Sequence, residues 1–373
     1  MKIAMVCYPT HGGSGVVATE LGMCLALRGH EVHFISYSTP FRLRGFHENV
    51  FYHEVDVSAY PLFKYPPYDL SLAAQIMEVA GEHTLDIVHA HYAIPHAISA
   101  YLARQMMRGR GPKVLTTLHG TDITLVGKDA SFREAVKFGI EESDGVTAVS
   151  RYLAEQTRAT FGIDKEIRVI HNFVDTARFS PHVENCIRKR FAPGGEAILI
   201  HASNFRPVKR LTDTIEILAR VRRHLPAKLL LVGEGPDRQE SHALAERLGL
   251  LDHVVYLGTQ DAVERLLGCA DLFLLPSSEE SFGLAALEAM SCGTPVIGTS
   301  IGGIPEVVEH GVDGYLFQVG DVDAMAAAAV ELLQQPERMT KMRAAARAKA
   351  EARFRIETLV PEYEHYYEEV LGR

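Results

Sequence analysis

Short runs of β-branched and other apolar residues alternate along the chain with longer amphipathic stretches, and the alternation starts over near Ala197. Strand, helix, strand in succession builds a parallel sheet covered by helices, so this rhythm restricts the chain to an α/β fold. The first series places strands at Ile3–Tyr8, Val32–Ser36, Ile87–Ala90, Val114–Thr117 and Val146–Val149. The second places them at Ile198–His201, Leu229–Val232, Val254–Leu257, Leu272–Leu275 and Pro295–Gly298. At 373 residues the chain also exceeds what one core usually supports. Two doubly wound domains are expected, residues 1–171 and 197–354, joined by a linker over 172–196 that carries Pro181, Pro193, Gly194 and Gly195. After Asp321 the chain is rich in Ala, Glu, Arg and Lys, and residues 355–373, with Tyr363, Tyr366 and Tyr367, are expected to form a closing helix on the first domain.

Bulk properties exclude several functions. A net charge of -9 argues against a general nucleic-acid binder, which needs an excess of Lys and Arg on one face. The five cysteines, Cys7, Cys24, Cys186, Cys269 and Cys292, form no C-x-x-C pair, so neither a disulfide framework nor a zinc site is expected and a reducing cytoplasm fits. No apolar run approaches the roughly 20 residues that span a bilayer, so stable membrane insertion is not expected. Met1 to Cys7 is too short for the apolar region of a signal peptide and reads as a strand.

Three segments combine glycine, charge and a helix start. The first strand runs into His11-Gly12-Gly13-Ser14-Gly15, where the backbone can approach a ligand and the free N–H groups of a helix attract an anion. It lacks both the dinucleotide G-x-G-x-x-G spacing and the lysine of a P-loop, and a plain tight turn is the alternative. Ser203-Asn204-Phe205-Arg206-Pro207-Val208-Lys209-Arg210 sets three cations between a strand and a helix. Cations oppose the dipole of a helix start, so a bound anion explains them better than local helix energetics do. In Glu279–Met290, Glu280 lies beyond a strand end and Glu288 within the helix that Gly283 and Leu284 open, where carboxylates can hold sugar and ribose hydroxyls. The pair His89 and His91 invites a metal, but no third ligand of matching spacing follows. His119, between a strand and Gly120, is better placed to meet a sugar hydroxyl.

Assembled, these residues resemble the retaining family 4 glycosyltransferases of the GT-B fold, over essentially the whole chain. Glu280 to Glu288 fits the E-x7-E element with Phe282-Gly283 inside it, and Gly12-Gly13, His119, Lys209 and Ile301–Glu306 also fall where that pattern has them. The segments Cys7-Tyr8-Pro9, Pro40–Leu43, Phe63–Leu70, His89–Ala93, Leu118–Ile123 and Ser203–Arg206 are similar, more narrowly, to members of bacillithiol biosynthesis. The family has an Arg at the position of Asn204 and a Gly at that of Arg210, so Arg206 is expected to take over part of the missing arginine's work.

The resemblance implies two Rossmann-like domains facing across a cleft and transfer of N-acetylglucosamine from UDP-N-acetylglucosamine to L-malate, with retention and without a metal or other cofactor. It implies that Arg206, Lys209, His119 and Glu280 act in catalysis. Gly13, Gly15, Asn204, Arg206, Lys209, Ser281, Phe282, Gly283, Leu284 and Glu288 would hold the donor, and Ser14, Lys64, Tyr92, Thr117 and Asn172 the acceptor. The two substrates are the expected partners, with a second copy of the chain as the candidate protein partner. Rival readings are a relative with an inositol phosphate, lipid or glycan acceptor, a UDP-sugar 2-epimerase, and a sugar-nucleotide binding module without turnover.

Overall fold

In a computed structural model the described residues are all but His11, Arg44, 58–63, 126–128 and 182–186. They form two compact units, Met1–Asn172 with Glu357–Arg373, and Phe173–Ile356.

The first unit is a seven-stranded parallel sheet of β1 (Lys2–Val6), β2 (Glu31–Ser36), β3 (Val50–Glu54), β4 (Ile87–His91), β5 (Lys113–Leu118), β6 (Gly145–Ala148) and β7 (Arg168–Val169). Its order, β3-β2-β1-β4-β5-β6-β7, reverses direction between β1 and β4. The inner strands are buried on both faces, as parallel strands covered by helices must be. Val17, Leu21 and Cys24 of the helix Gly13–Leu27 all point into the core. One face of the sheet packs Ala4, Val6, Ile35 and Val88 against Leu72, Ile76 and Val79 of the helix Tyr68–His83.

The helix Ile356–Leu371 completes this unit. The Tyr366 hydroxyl accepts from the Val146 amide at 3.1 Å, and the Tyr367 hydroxyl lies 2.7 Å from Nδ1 of buried His89. Gly145 leaves room for this helix, since a Cβ there would lie 2.8 Å from Val370 and 3.0 Å from the Tyr366 hydroxyl.

The second unit is a six-stranded parallel sheet of β8 (Ala197–Ala202), β9 (Ala227–Val232), β10 (Val254–Gly258), β11 (Leu272–Leu275), β12 (Val296–Thr299) and β13 (Gly314–Phe317). Its order is β10-β9-β8-β11-β12-β13, with the reversal between β8 and β11. The helices Leu211–Val221 and Val322–Leu333 supply Leu211, Ile215, Leu218, Met325 and Leu332 to its core.

Cys7, Cys24 and Cys292 are free and buried. Cys269 is disulfide-bonded, which corrects the expectation drawn from the scattered cysteines; Cys186 lies outside the described residues. No helix among the described residues is long and apolar enough to cross a membrane.

Candidate active site

Open α/β sheets bind ligands beyond the carboxyl ends of the strands at the point where strand order reverses. In the second unit that point lies between β8 and β11, and the two charged segments of the sequence leave the sheet there. Lys209 Nζ donates to Glu280 Oε2 at 2.6 Å, with both side chains more than four-fifths buried. The two loops are also joined by their backbones, the Ser278 amide donating to the Val208 carbonyl at 2.8 Å.

Neighbouring loops lock this arrangement from both sides. Gly302 has φ +60°, and a Cβ there would lie 1.9 Å from the Glu280 carbonyl oxygen, which accepts from the Gly303 amide at 3.0 Å. On the other flank Gly233, at φ +124°, leaves no room for a Cβ beside the Ser203 carbonyl. His201 reaches from β8 to the Leu274 carbonyl and to Ser203 Oγ, which in turn accepts from the Phe205 amide. The helix Leu284–Ser291 begins at Gly283, whose φ of +97° suits glycine, and Phe282 beside it is buried edge-on against Phe354.

The three cations of the sequence differ in their engagements. Arg210 is bidentate with Asp213, Nε to Oδ2 2.7 Å and Nη2 to Oδ1 3.1 Å, so its charge is spent within its own helix start. It also stands in the left-handed region at φ 51°, a conformation that glycine adopts without steric cost. Arg206 and Asn204 are exposed, and the Arg206 guanidinium has no ion pair among the described residues. Ser281, Leu284 and Glu288 are half-buried.

In the first unit the reversal between β1 and β4 gathers Tyr8, Tyr92, His96 and His119. Ring centroids are 5.6 Å apart for Tyr8 and Tyr92, 4.5 Å for Tyr8 and His96, and 5.4 Å for Tyr92 and His119. Tyr92 has φ 107° and ψ 139°, a region that costs a non-glycine residue about 1–3 kcal/mol and recurs at functional sites. His119 Nε2 pairs with His91 Nδ1 at 2.9 Å, and burial pushes His119 down to about 3, so at neutral pH it is an uncharged hydrogen-bonding group. His91 Nε2 and His96 Nε2 are buried polar atoms without a partner among the described residues, as is Asn172 Oδ1. Asp122 accepts from the amides of Ala93 and Gly120; burial nevertheless pushes its carboxyl up to about 6.

Other residues singled out from the sequence stand outside these two clusters or are engaged within the protein. Thr117 is fully buried, its hydroxyl 2.6 Å from His89 Nε2 and 2.6 Å from Thr147 Oγ1, so it is a core residue and is withdrawn from the acceptor set. Gly15 serves the loop that precedes it, since a Cβ there would lie 2.6 Å from the carbonyl oxygens of both Tyr8 and Thr10. Gly13 and Ser14 open the first helix, which has no acidic residue in its first turn, and Lys64 is exposed with its ammonium 5.4 Å from the Tyr65 ring. His91 was weighed from sequence only as half of a metal pair and Asp122 only as part of the segment Leu118–Ile123, while His96 was not singled out at all.

Residues 11–178 match the family described as Glycosyltransferase Family 4, and residues 183–349 the family described as Glycosyl transferases group 1. The chain belongs to these family 4, group 1 glycosyltransferases and has their GT-B fold. It is 49% identical over 372 residues to the N-acetyl-alpha-D-glucosaminyl L-malate synthase of Bacillus anthracis, covering 100% of this chain and 97% of that protein. A GDP-mannose-dependent alpha-(1-6)-phosphatidylinositol monomannoside mannosyltransferase of Mycolicibacterium smegmatis is 30% identical over 289 residues, 74% of this chain and 75% of that one. Among solved structures, Anabaena HepE in complex with UDP-glucose shares the fold with a TM-score of 0.85 at 22% identity, over 99% of this chain and 100% of that one.

Proposed function

We propose that this glycosyltransferase moves N-acetylglucosamine from UDP-N-acetylglucosamine to the hydroxyl of L-malate, giving N-acetyl-α-D-glucosaminyl L-malate and UDP, as a cytoplasmic first step of bacillithiol biosynthesis. The observation that carries this reading is the 49% identity to an N-acetyl-alpha-D-glucosaminyl L-malate synthase along the full chain, against 30% to the mannosyltransferase. The geometry supports it in each unit separately.

In the second unit, Arg206 and Lys209 neutralise the departing diphosphate, and the start of the helix Leu284–Ser291 adds the positive end of its dipole. Glu280 holds Lys209 in position and presents its remaining oxygen to a sugar hydroxyl, while Glu288 takes a ribose hydroxyl. Asn204, Ser281, Phe282 and Gly283 line the donor. In the first unit neutral His119 offers a hydrogen bond to the sugar. Ser14, Tyr92, Lys64 and Asn172 serve the acceptor, one carboxylate taking the free N–H groups that open the helix Gly13–Leu27.

Transfer proceeds with retention by attack of the malate hydroxyl on the face that the diphosphate leaves, a donor phosphate oxygen taking the proton. No protein nucleophile is required, unlike retaining glycosidases with their paired carboxylates. The testing experiment is UDP release from UDP-N-acetylglucosamine with and without L-malate. Release that ignores L-malate but rises with an inositol phosphate, a lipid or a glycan would overturn the acceptor, and release without any acceptor would favour epimerisation.

A further inference from the structure

Outside this site, on the β2–β3 edge of the first sheet, three histidines from three elements converge. His33 comes from β2, His53 from β3, and His83 ends the helix Tyr68–His83. One ring nitrogen from each lies within 4.8 Å of the other two. His33 Nδ1 and His53 Nε2 are 2.9 Å apart, and the His33 ring stands 4.3 Å from His83 and 5.2 Å from His53. On its far side His33 Nε2 meets Glu31 Oε1 at 3.0 Å, and Glu31 is anchored by Lys2 at 3.1 Å.

We propose that His33, His53 and His83 form a binding site for one first-row divalent metal ion, Zn²⁺ in the first instance, distinct from the glycosyl-transfer site. Tetrahedral Zn²⁺ with nitrogens at about 2.0–2.1 Å needs those nitrogens roughly 3.4 Å apart, which the cluster reaches by small ring rotations. A fourth position is left for water because His53 and His83 are half-buried.

The surroundings fit a ligand set better than a chance contact. The carboxylate of Glu31 fixes the His33 proton on Nε2 and aims the Nδ1 lone pair into the cluster, the outer-shell partner that metal-bound histidines usually have. Binding needs only that the proton shared between His33 and His53 move to His53 Nδ1, with no change in net protonation. The ion would pin edge strand β3 to the end of the helix Tyr68–His83.

The test uses the full chain without an affinity tag, stripped by a chelator and titrated with Zn²⁺ by calorimetry, with Co²⁺ absorption reporting geometry. One equivalent should bind with a tetrahedral Co²⁺ spectrum and raise the thermal midpoint. His53→Ala and His83→Ala, both at half-exposed positions, should each weaken binding at least tenfold and abolish that rise, and Glu31→Gln should weaken it about tenfold to a hundredfold. Absence of one-equivalent binding, or binding unchanged in both histidine variants, would overturn the assignment. Turnover is not the readout, so this result and the acceptor assay fail independently.

Discussion

Lys209 donates to Glu280 at 2.6 Å across the point where the second sheet reverses its strand order, so the cation is positioned by a carboxylate before any substrate arrives. A preorganised charge acts most where negative charge grows, on the departing diphosphate. Lys209→Ala and Arg206→Ala should each lower kcat about a hundredfold or more, roughly 3 kcal/mol, with a much smaller loss of UDP affinity. Steady-state rates alongside calorimetric UDP binding check this, and near-normal turnover in both variants would remove the diphosphate role.

Arg210 should behave differently, because its charge is already given to Asp213 and its backbone is left-handed. Arg210→Ala loses the pair and keeps the strained φ, whereas Arg210→Gly loses the pair and relieves the strain. The glycine variant should be the more stable by roughly 1 kcal/mol in denaturant titration, with kcat in both within about threefold of the parent. A loss in kcat as large as that of Lys209→Ala would return Arg210 to the diphosphate.

The same contrast shows what was legible in the sequence. The inner strands announce themselves as apolar runs, but β3, β7 and β13 were not foreseen, and each lies at a sheet edge. β3 reads Val-Phe-Tyr-His-Glu and is half-exposed, and β7 is only two residues long. The charged segments at Arg206–Arg210 and Glu279–Glu288 were legible as strand-to-helix crossings, and the structure sets them side by side after β8 and β11. Which cations remain available was not legible, since that depends on Glu280 lying 71 positions from Lys209 and on Asp213 turning back to Arg210. Thr117 was expected in the acceptor set from the resemblance alone, yet its pleat direction sends the hydroxyl to His89. The three histidines at positions 33, 53 and 83 share no local spacing at all.

Acidification should unfold the first unit. Burial pushes His89 and His119 down to about 3 and His96 down to about 4, and lowers His91 as well. Unfolded, each takes a proton near pH 6.5, so the stability they contribute is fully present above that value and is lost as pH falls toward the folded ones. Each such group changes stability by roughly 1.4 kcal/mol per pH unit in its window. Asp122, pushed up to about 6, acts in the opposite sense between pH 6 and its unfolded value, as does Glu362, also raised by burial, while His33 and His53, lowered by burial, add to the four histidines. The urea midpoint of the first unit, followed by amide exchange in β4 and β5, should fall steadily from pH 6.5 to 4.5. A flat profile would contradict the burial of neutral histidines.

Glycosyl transfer should persist in excess EDTA, because in the proposed site Arg206, Lys209 and a helix start would take the place that Mg²⁺ holds at other diphosphates. Initial rates before and after chelation decide it. Abolition with rescue by Mg²⁺ or Mn²⁺ would mean that a metal carries the diphosphate.

For the acceptor, Ser14→Ala should be mild and Gly13→Val severe, since the first removes one donor and the second blocks the backbone's approach to a carboxylate. The KM for L-malate should rise with ionic strength, as expected for a dianion drawn to a local positive site in an acidic protein. A KM insensitive to salt would point to a neutral acceptor.

The helix Ile356–Leu371 gives the molecule an order of assembly. Val146 and His89 find their hydroxyl partners in Tyr366 and Tyr367, yet the ribosome makes those tyrosines only after the whole of the second unit. At about 5–20 residues per second, that delay is roughly ten seconds or more. Throughout it, the nascent first unit carries an uncovered seam along β4 and β6, so a chaperone that meets this protein during translation should meet it there.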